Sequence, residues 1–136
     1  MPSFGTLKAD TLTHSTAGSL ATNYVVEGTA KAWTFFDGGA GTIAYADSFN
    51  SSTLTDIGTG NHKYAFTNNM NNANFSFGGA AIIDETTFGL LSGTEIAGSH
   101  ARSTSSSGGF WTTNTASVNS SADANSVSTQ IFGDLA

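Results

Sequence analysis

No cysteine occurs among the 136 residues, so neither a disulfide framework nor a thiolate metal site can be built. Charge is scarce as well: Asp, Glu, Lys and Arg make up 10% of the chain, with 4 basic against 10 acidic residues. A formal net charge of −6 leaves no basic stripe to displace counterions from a phosphate backbone, so no nucleic acid and no anionic membrane surface is expected as a partner. No apolar run approaches the roughly 18 residues that cross a bilayer. The opening Met-Pro-Ser-Phe-Gly-Thr-Leu-Lys has no apolar h-region, so export through a cleaved signal is not expected. No segment carries a sustained helical stripe or a heptad pattern, and no repeat of fixed period is visible.

What fills the chain instead is small and polar. Eighteen Ser, 20 Thr, 11 Asn and 16 Gly account for 65 positions, while ten Phe supply much of the large apolar surface. Thr and Phe favour strands, and Gly and Asn favour tight turns, so the composition points to a β-protein with many short connections. Candidate strands recur every 8 to 12 residues from Lys31 onward. Lys31–Phe36 is followed by Asp37-Gly38-Gly39, read as a hairpin turn with positive φ, and then by Thr42–Phe49. Asp56–Asn61 is a turn cluster, and His62–Thr67 places Tyr64 and Phe66 at period two. Asn68–Asn72 reads as a loop and Ala73–Gly79 as a half-buried strand. Shorter candidates follow at Ala80–Ile83, Thr86–Leu91, Glu95–Ala101 and Phe110–Thr113. In the last, Ala124–Phe132, Val127, Thr129 and Ile131 alternate with Ser126, Ser128 and Gln130. The expected fold is all-β, an antiparallel β-sandwich or jelly-roll over residues 29–136.

Residues 1–28 read differently. Leu7, Leu12, Leu20 and Val25 are spread among Thr, Ser and Ala in neither helical nor alternating order. Such a segment hides little of its own apolar surface, so we read it as an extended N-terminal docking arm covered by another copy or a larger assembly. Covering even ~600 Å² of apolar surface is worth up to roughly 15 kcal/mol before association entropy.

Residues that could carry chemistry do not converge in the sequence. His14, His62 and His100 stand far apart, without ligand spacing, and read as surface or turn histidines. Asp37, Asp47 and Asp56 lack the pattern of a calcium loop and read as turn residues. No Gly-x-Ser-x-Gly elbow occurs, and Ser99 and His100, adjacent on a strand, would face opposite sides. Gly38–Gly41 and Gly58–Gly60 resemble phosphate cradles, but without a following helix they are turns. The residues therefore predict no catalytic site, no metal and no cofactor. Trp33 and Trp111 read as core anchors ahead of sugar platforms.

One stretch carries a resemblance. Lys31-Ala32-Trp33, Asp37-Gly38, Gly41-Thr42-Ile43, Asp47-Ser48-Phe49-Asn50-Ser51-Ser52, Leu54-Thr55-Asp56-Ile57-Gly58-Thr59-Gly60, Phe66-Thr67, Met70 and Ala73-Asn74-Phe75 together resemble a module recurrent in tailed-phage virion proteins. Leu7–Leu12 is similar to the extended leader before such modules. The resemblance implies a non-enzymatic virion protein, a homo-oligomer and expected trimer, built into the particle with other virion proteins. The leading expectation is a tail-fibre or tail-associated subunit held through residues 1–28. Its loops Ser103–Gly109 and Asn114–Asn125, with Trp111 nearby, would contact host-surface glycan. The alternative is a capsid decoration protein that clamps the head with the same arm.

Overall fold

The computed structural model describes residues 11–15, 18–84, 88–91, 100–114 and 120–136. In chain order these form β1 (Thr11–His14), β2 (Gly18–Ala21), α1 (Thr22–Gly28), β3 (Ala32–Phe36), β4 (Tyr45–Phe49), β5 (Ser51–Gly58) and β6 (Asn61–Phe66). There follow β7 (Ser76–Ile82), β8 (Phe88–Leu91), β9 (Phe110–Asn114), β10 (Ser120–Ser121) and β11 (Ser126–Phe132). Every named pairing is antiparallel. The strands run β4-β3-β11-β7-β8-β9-β6-β5 across one sheet, with β10 beside β9. The sheet folds over so that β3, β11 and β7 face β6 and β9, giving the all-β, β-sandwich-like architecture expected from the sequence.

Alternation explains which side chains meet inside. On β11, Val127, Thr129 and Ile131 are buried and stand opposite Phe36, Thr34 and Ala32 of β3. His62, Tyr64 and Phe66 form the matching inner row of β6, and Phe110 and Thr112 that of β9. The two layers meet ring to ring: Phe36 and Phe77 lie 6.4 and 5.2 Å from Phe110, and Phe66 lies 5.7 Å from Phe75. Fully burying a side chain of this size stabilises the fold by about 1.5–3 kcal/mol. Between the rings runs a buried hydroxyl chain. Thr34 Oγ1 and Thr129 Oγ1 are 2.7 Å apart, and Thr129 Oγ1 donates to the Tyr64 hydroxyl at 3.1 Å. A threonine hydroxyl has one proton, so Thr34 must donate to Thr129. Burial pushes the Tyr64 phenol above its ordinary titration range, which keeps it neutral.

The chain turns from β4 into β5 at a single residue, Asn50, whose φ of 52° is in the left-handed region. Asn tolerates this conformation better than most residues. Its side chain also ties the corner down: Oδ1 accepts from Asn68 N at 2.6 Å, and Nδ2 donates to Lys31 O at 2.9 Å and Asn68 O at 3.0 Å.

Four expectations need correction. Asp37–Gly39 is not a tight hairpin turn, because residues 37–44 make a longer loop and neither Gly38 nor Gly39 has positive φ. Ala73–Gly79 and Ala80–Ile83 are not two strands: β7 runs unbroken from Ser76 to Ile82 because β11 pairs along its whole length. His62 is not at the surface; it is fully buried, being in phase with Tyr64 and Phe66. Ser103–Gly109 is not an open loop. Ser107 is fully buried, its amide donates to Tyr64 O, and Phe66 and Met70 amides donate to Ser105 O and Thr104 O. This segment continues the edge of β6 beyond the two residue pairs that β9 provides. Asp37 and Asp56 do serve as turn residues, accepting from Gly39 and Gly58 amides at 2.8 and 2.9 Å. Asp47, by contrast, stands within β4. The candidate strand Glu95–Ala101 lies mostly outside the described residues.

Two pairs of substitutions test this account of the fold. Thr129→Val strands both Thr34 and Tyr64, and is expected to lower unfolding free energy by roughly 2–4 kcal/mol; Tyr64→Phe strands one donor and should cost about 1–2. Asn50→Ala loses three side-chain hydrogen bonds and keeps the φ penalty, whereas Asn50→Gly loses only the bonds and should be milder by about 1 kcal/mol. Urea melts of the four variants read both orders directly.

Candidate assembly surface

Residues 11–28, expected as an extended arm, carry local structure of their own. β1 and β2 form a hairpin with Leu12 opposite Leu20, and α1 follows directly. Neither strand joins the nine-stranded sheet. The helix is seven residues long, with no side-chain bond at its N-cap, Ala21. Its support comes from Lys31. The Lys31 ammonium donates to the Val26 carbonyl near the helix C-terminus, and to Thr29 Oγ1 at 2.8 Å and Thr29 O at 3.2 Å. A cation at that end also complements the helix dipole. The same residue is part of the sandwich, since its amide donates to Ile131 O at 2.7 Å. Lys31 thus links the leading segment to the sheet.

The outward side of this segment is apolar. Leu12 is 43% exposed, Leu20 45%, Val25 37%, Tyr24 66% and Val26 62%. Val25 and Val26 line a groove of about 510 Å³ whose opposite wall includes Phe49 and Leu135. Phe49 is half exposed and stands opposite Trp33 of β3. The outer face of the sheet continues from there through Phe35 and Phe132, which are both exposed. A two-stranded hairpin is marginal in water without a surface to lie on. The Leu12–Leu20 pair remains more than two-fifths exposed on a hairpin that no strand of the main sheet joins.

The structure thus places three of the four sequence-predicted arm residues, Leu12, Leu20 and Val25, on one solvent-facing segment. Leu7 lies outside the described residues. Tyr24, Val26, Phe49 and Leu135 were not singled out from the sequence. The adjacent Tyr24-Val25-Val26 run was the available signal. Trp111, expected as a contact for host glycan, sits in β9 opposite Asn61 and is partly buried. Of the second loop expected to meet the host, 115–119 lie outside the described residues. Ser120 and Ser121 pair with β9, and Asp123 accepts from the Gly60 amide at 2.6 Å.

Among the described residues no three of His, Cys, Asp and Glu gather where they could share a metal ion, and no helix is long and apolar enough to cross a membrane. Tyr45 has its hydroxyl buried without a partner among the described residues, and burial pushes its phenol up to about 12. No family model, no curated protein and no solved structure matches the chain.

Proposed function

We propose that this chain is a non-enzymatic structural subunit of a tailed-phage virion. In this reading it is a tail-fibre or tail-associated protein that assembles with copies of itself, as a trimer, through residues 1–28. The observation that carries the assembly reading is the exposed Leu12–Leu20 pair on a hairpin that no sandwich strand joins. A segment with this much uncovered apolar surface gains stability when a neighbour covers it. Repetition of one subunit supplies that neighbour at no cost in new sequence. The virion reading rests on the module resemblance over residues 31–77, whose Ser48-Phe49-Asn50 and Gly58-Thr59-Gly60 are the corner and the hairpin on either side of β5. Outward contact with host-surface glycan is assigned to Trp111 and residues 114–125. In residues 103–109, whose backbone is bonded to β6 and Met70, the exposed Thr104 and Ser105 are the side chains left for such contact.

Sedimentation equilibrium tests the assembly step. The intact chain is expected as an oligomer, and paired Leu12→Asp and Leu20→Asp changes, which leave the sandwich core untouched, should shift it to monomer by at least tenfold in dissociation constant. A wild-type chain that stays monomeric at high concentration would contradict the reading. Imaging of the particle carrying the subunit tests the location: density on the tail is expected, whereas density over the head lattice would replace this reading with capsid decoration.

A further inference from the structure

His62 has no part in the assembly surface, yet it is fully buried in the centre of the sandwich. Neither ring nitrogen has a hydrogen-bond partner of good geometry among the described residues. The ring is packed edge-on against Phe36, with centroids 5.3 Å apart, and lies 6.2 Å from Phe110. Its remaining side is covered by Gly38, from the loop of residues 37–44. A methyl group at position 38 would lie 3.0 Å from His62 Cε1, 3.1 Å from Nε2 and 3.2 Å from the Ala124 carbonyl oxygen. The loop is latched there by one backbone bond, Gly38 N to Ala124 O at 2.8 Å. Gly38 is therefore the point where the loop closes over the ring, with no room for a side chain.

We propose that His62 and Gly38 form an acid-sensitive latch: protonation of the ring releases the 37–44 loop from β6, while the rest of the sandwich stays folded. A neutral imidazole leaves one N–H and one lone pair unpaired here, whereas an imidazolium leaves a buried charge and two N–H groups, toward which the Gly38 backbone is the one nearby polar group of the loop. Water can supply acceptors for those groups, and the loop at Gly38 lies directly against the ring, held there by its backbone bond to Ala124. The charged groups around the ring do not remove this demand. Asp56 on β5 and Asp123 before β11 attract a proton, but both have an oxygen committed to a backbone amide, at Gly58 and Gly60. Asp37, beside Gly38, is likewise bonded to Gly39. On β3 and β9 the ring meets the phenyl groups of Phe36 and Phe110, and Lys63 lies on the opposite face of β6 by alternation. Burial outweighs the two carboxylates and the Gly38 backbone, holding His62 below its ordinary value of 6.5.

The sign follows from linkage. A histidine lowered in the closed state binds fewer protons than in the open one, so closure is favoured above pH 6.5 and weakens as pH falls below it. Hydrogen exchange at the Gly38 amide, corrected for the intrinsic rate, is expected to lose about tenfold protection per pH unit below 6.5, until the closed-state ring itself titrates. Thr129, in the middle of β11, is expected to keep its protection over the same range. The NMR titration of the His62 ring should have its midpoint below 6.5. In His62→Phe the Gly38 protection should no longer change with pH. A midpoint at or above 6.5, or Gly38 protection that is constant from pH 7.5 to 5, would overturn the proposal. So would equal losses at Gly38 and Thr129. If His62→Phe does not fold, the wild-type titration and exchange decide alone.

Discussion

The structure depends on joining two sheet layers that have little apolar material to join them. Ten phenylalanines are the main supply of large side chains, and the strands are otherwise rich in Thr, Ser, Gly and Ala. The solution is a mixed contact: aromatic rings meet edge to face around Phe110, and the Thr34–Thr129–Tyr64 hydroxyl chain crosses between the layers. Threonine in an inner row would ordinarily carry a desolvation cost, but each hydroxyl here has a partner. Tyr64 reaching Thr129 joins β6 to β11 across the two facing layers. Alternation along β6 then turns His62 and Phe66 inward with Tyr64, and the 103–107 backbone completes the β6 edge.

The leading segment stands outside this arrangement. The inner rows are filled without it, so Leu12, Leu20, Tyr24, Val25 and Val26 have no place in the sandwich core and remain at the surface. Lys31 reconciles the two parts, with its backbone in the sheet and its ammonium on the carbonyls behind the helix. The groove between α1 and Phe49 is then a consequence of the hinge position, and its apolar lining continues onto the outer aromatic face of β3. A single chain that leaves this much uncovered is consistent with a subunit whose stability is completed by its neighbours.

Much of the sandwich was legible because alternation is a local property. Val127, Thr129 and Ile131 on β11, and Tyr64 and Phe66 on β6, face the core as their spacing indicates. His62 obeys the same period and is buried with them, although its residue type points to the surface. The serine tract 103–109 is polar in composition, yet its backbone pairs with β6 and Ser107 Oγ accepts from the Tyr64 amide at 3.0 Å, contacts that leave no mark in composition. The β4–β5 corner depends on Asn50 reaching Asn68 and Lys31, partners 18 and 19 residues away. Helix α1 was not legible because seven residues with an adjacent Val25-Val26 pair and no cap make no periodic stripe. It is held by a lysine that follows it. The apolar character of the assembly surface was read from Leu12, Leu20 and Val25, but its extension to Phe49 and Leu135 requires the fold.

The central claim is that residues 18–28 are covered by neighbouring copies of the chain. Hydrogen exchange of their backbone amides, measured at rising protein concentration, addresses it most directly. Protection that grows with concentration across 18–28, while β11 stays constant, is the expected result. Exchange across 18–28 that is fast and independent of concentration would contradict the account.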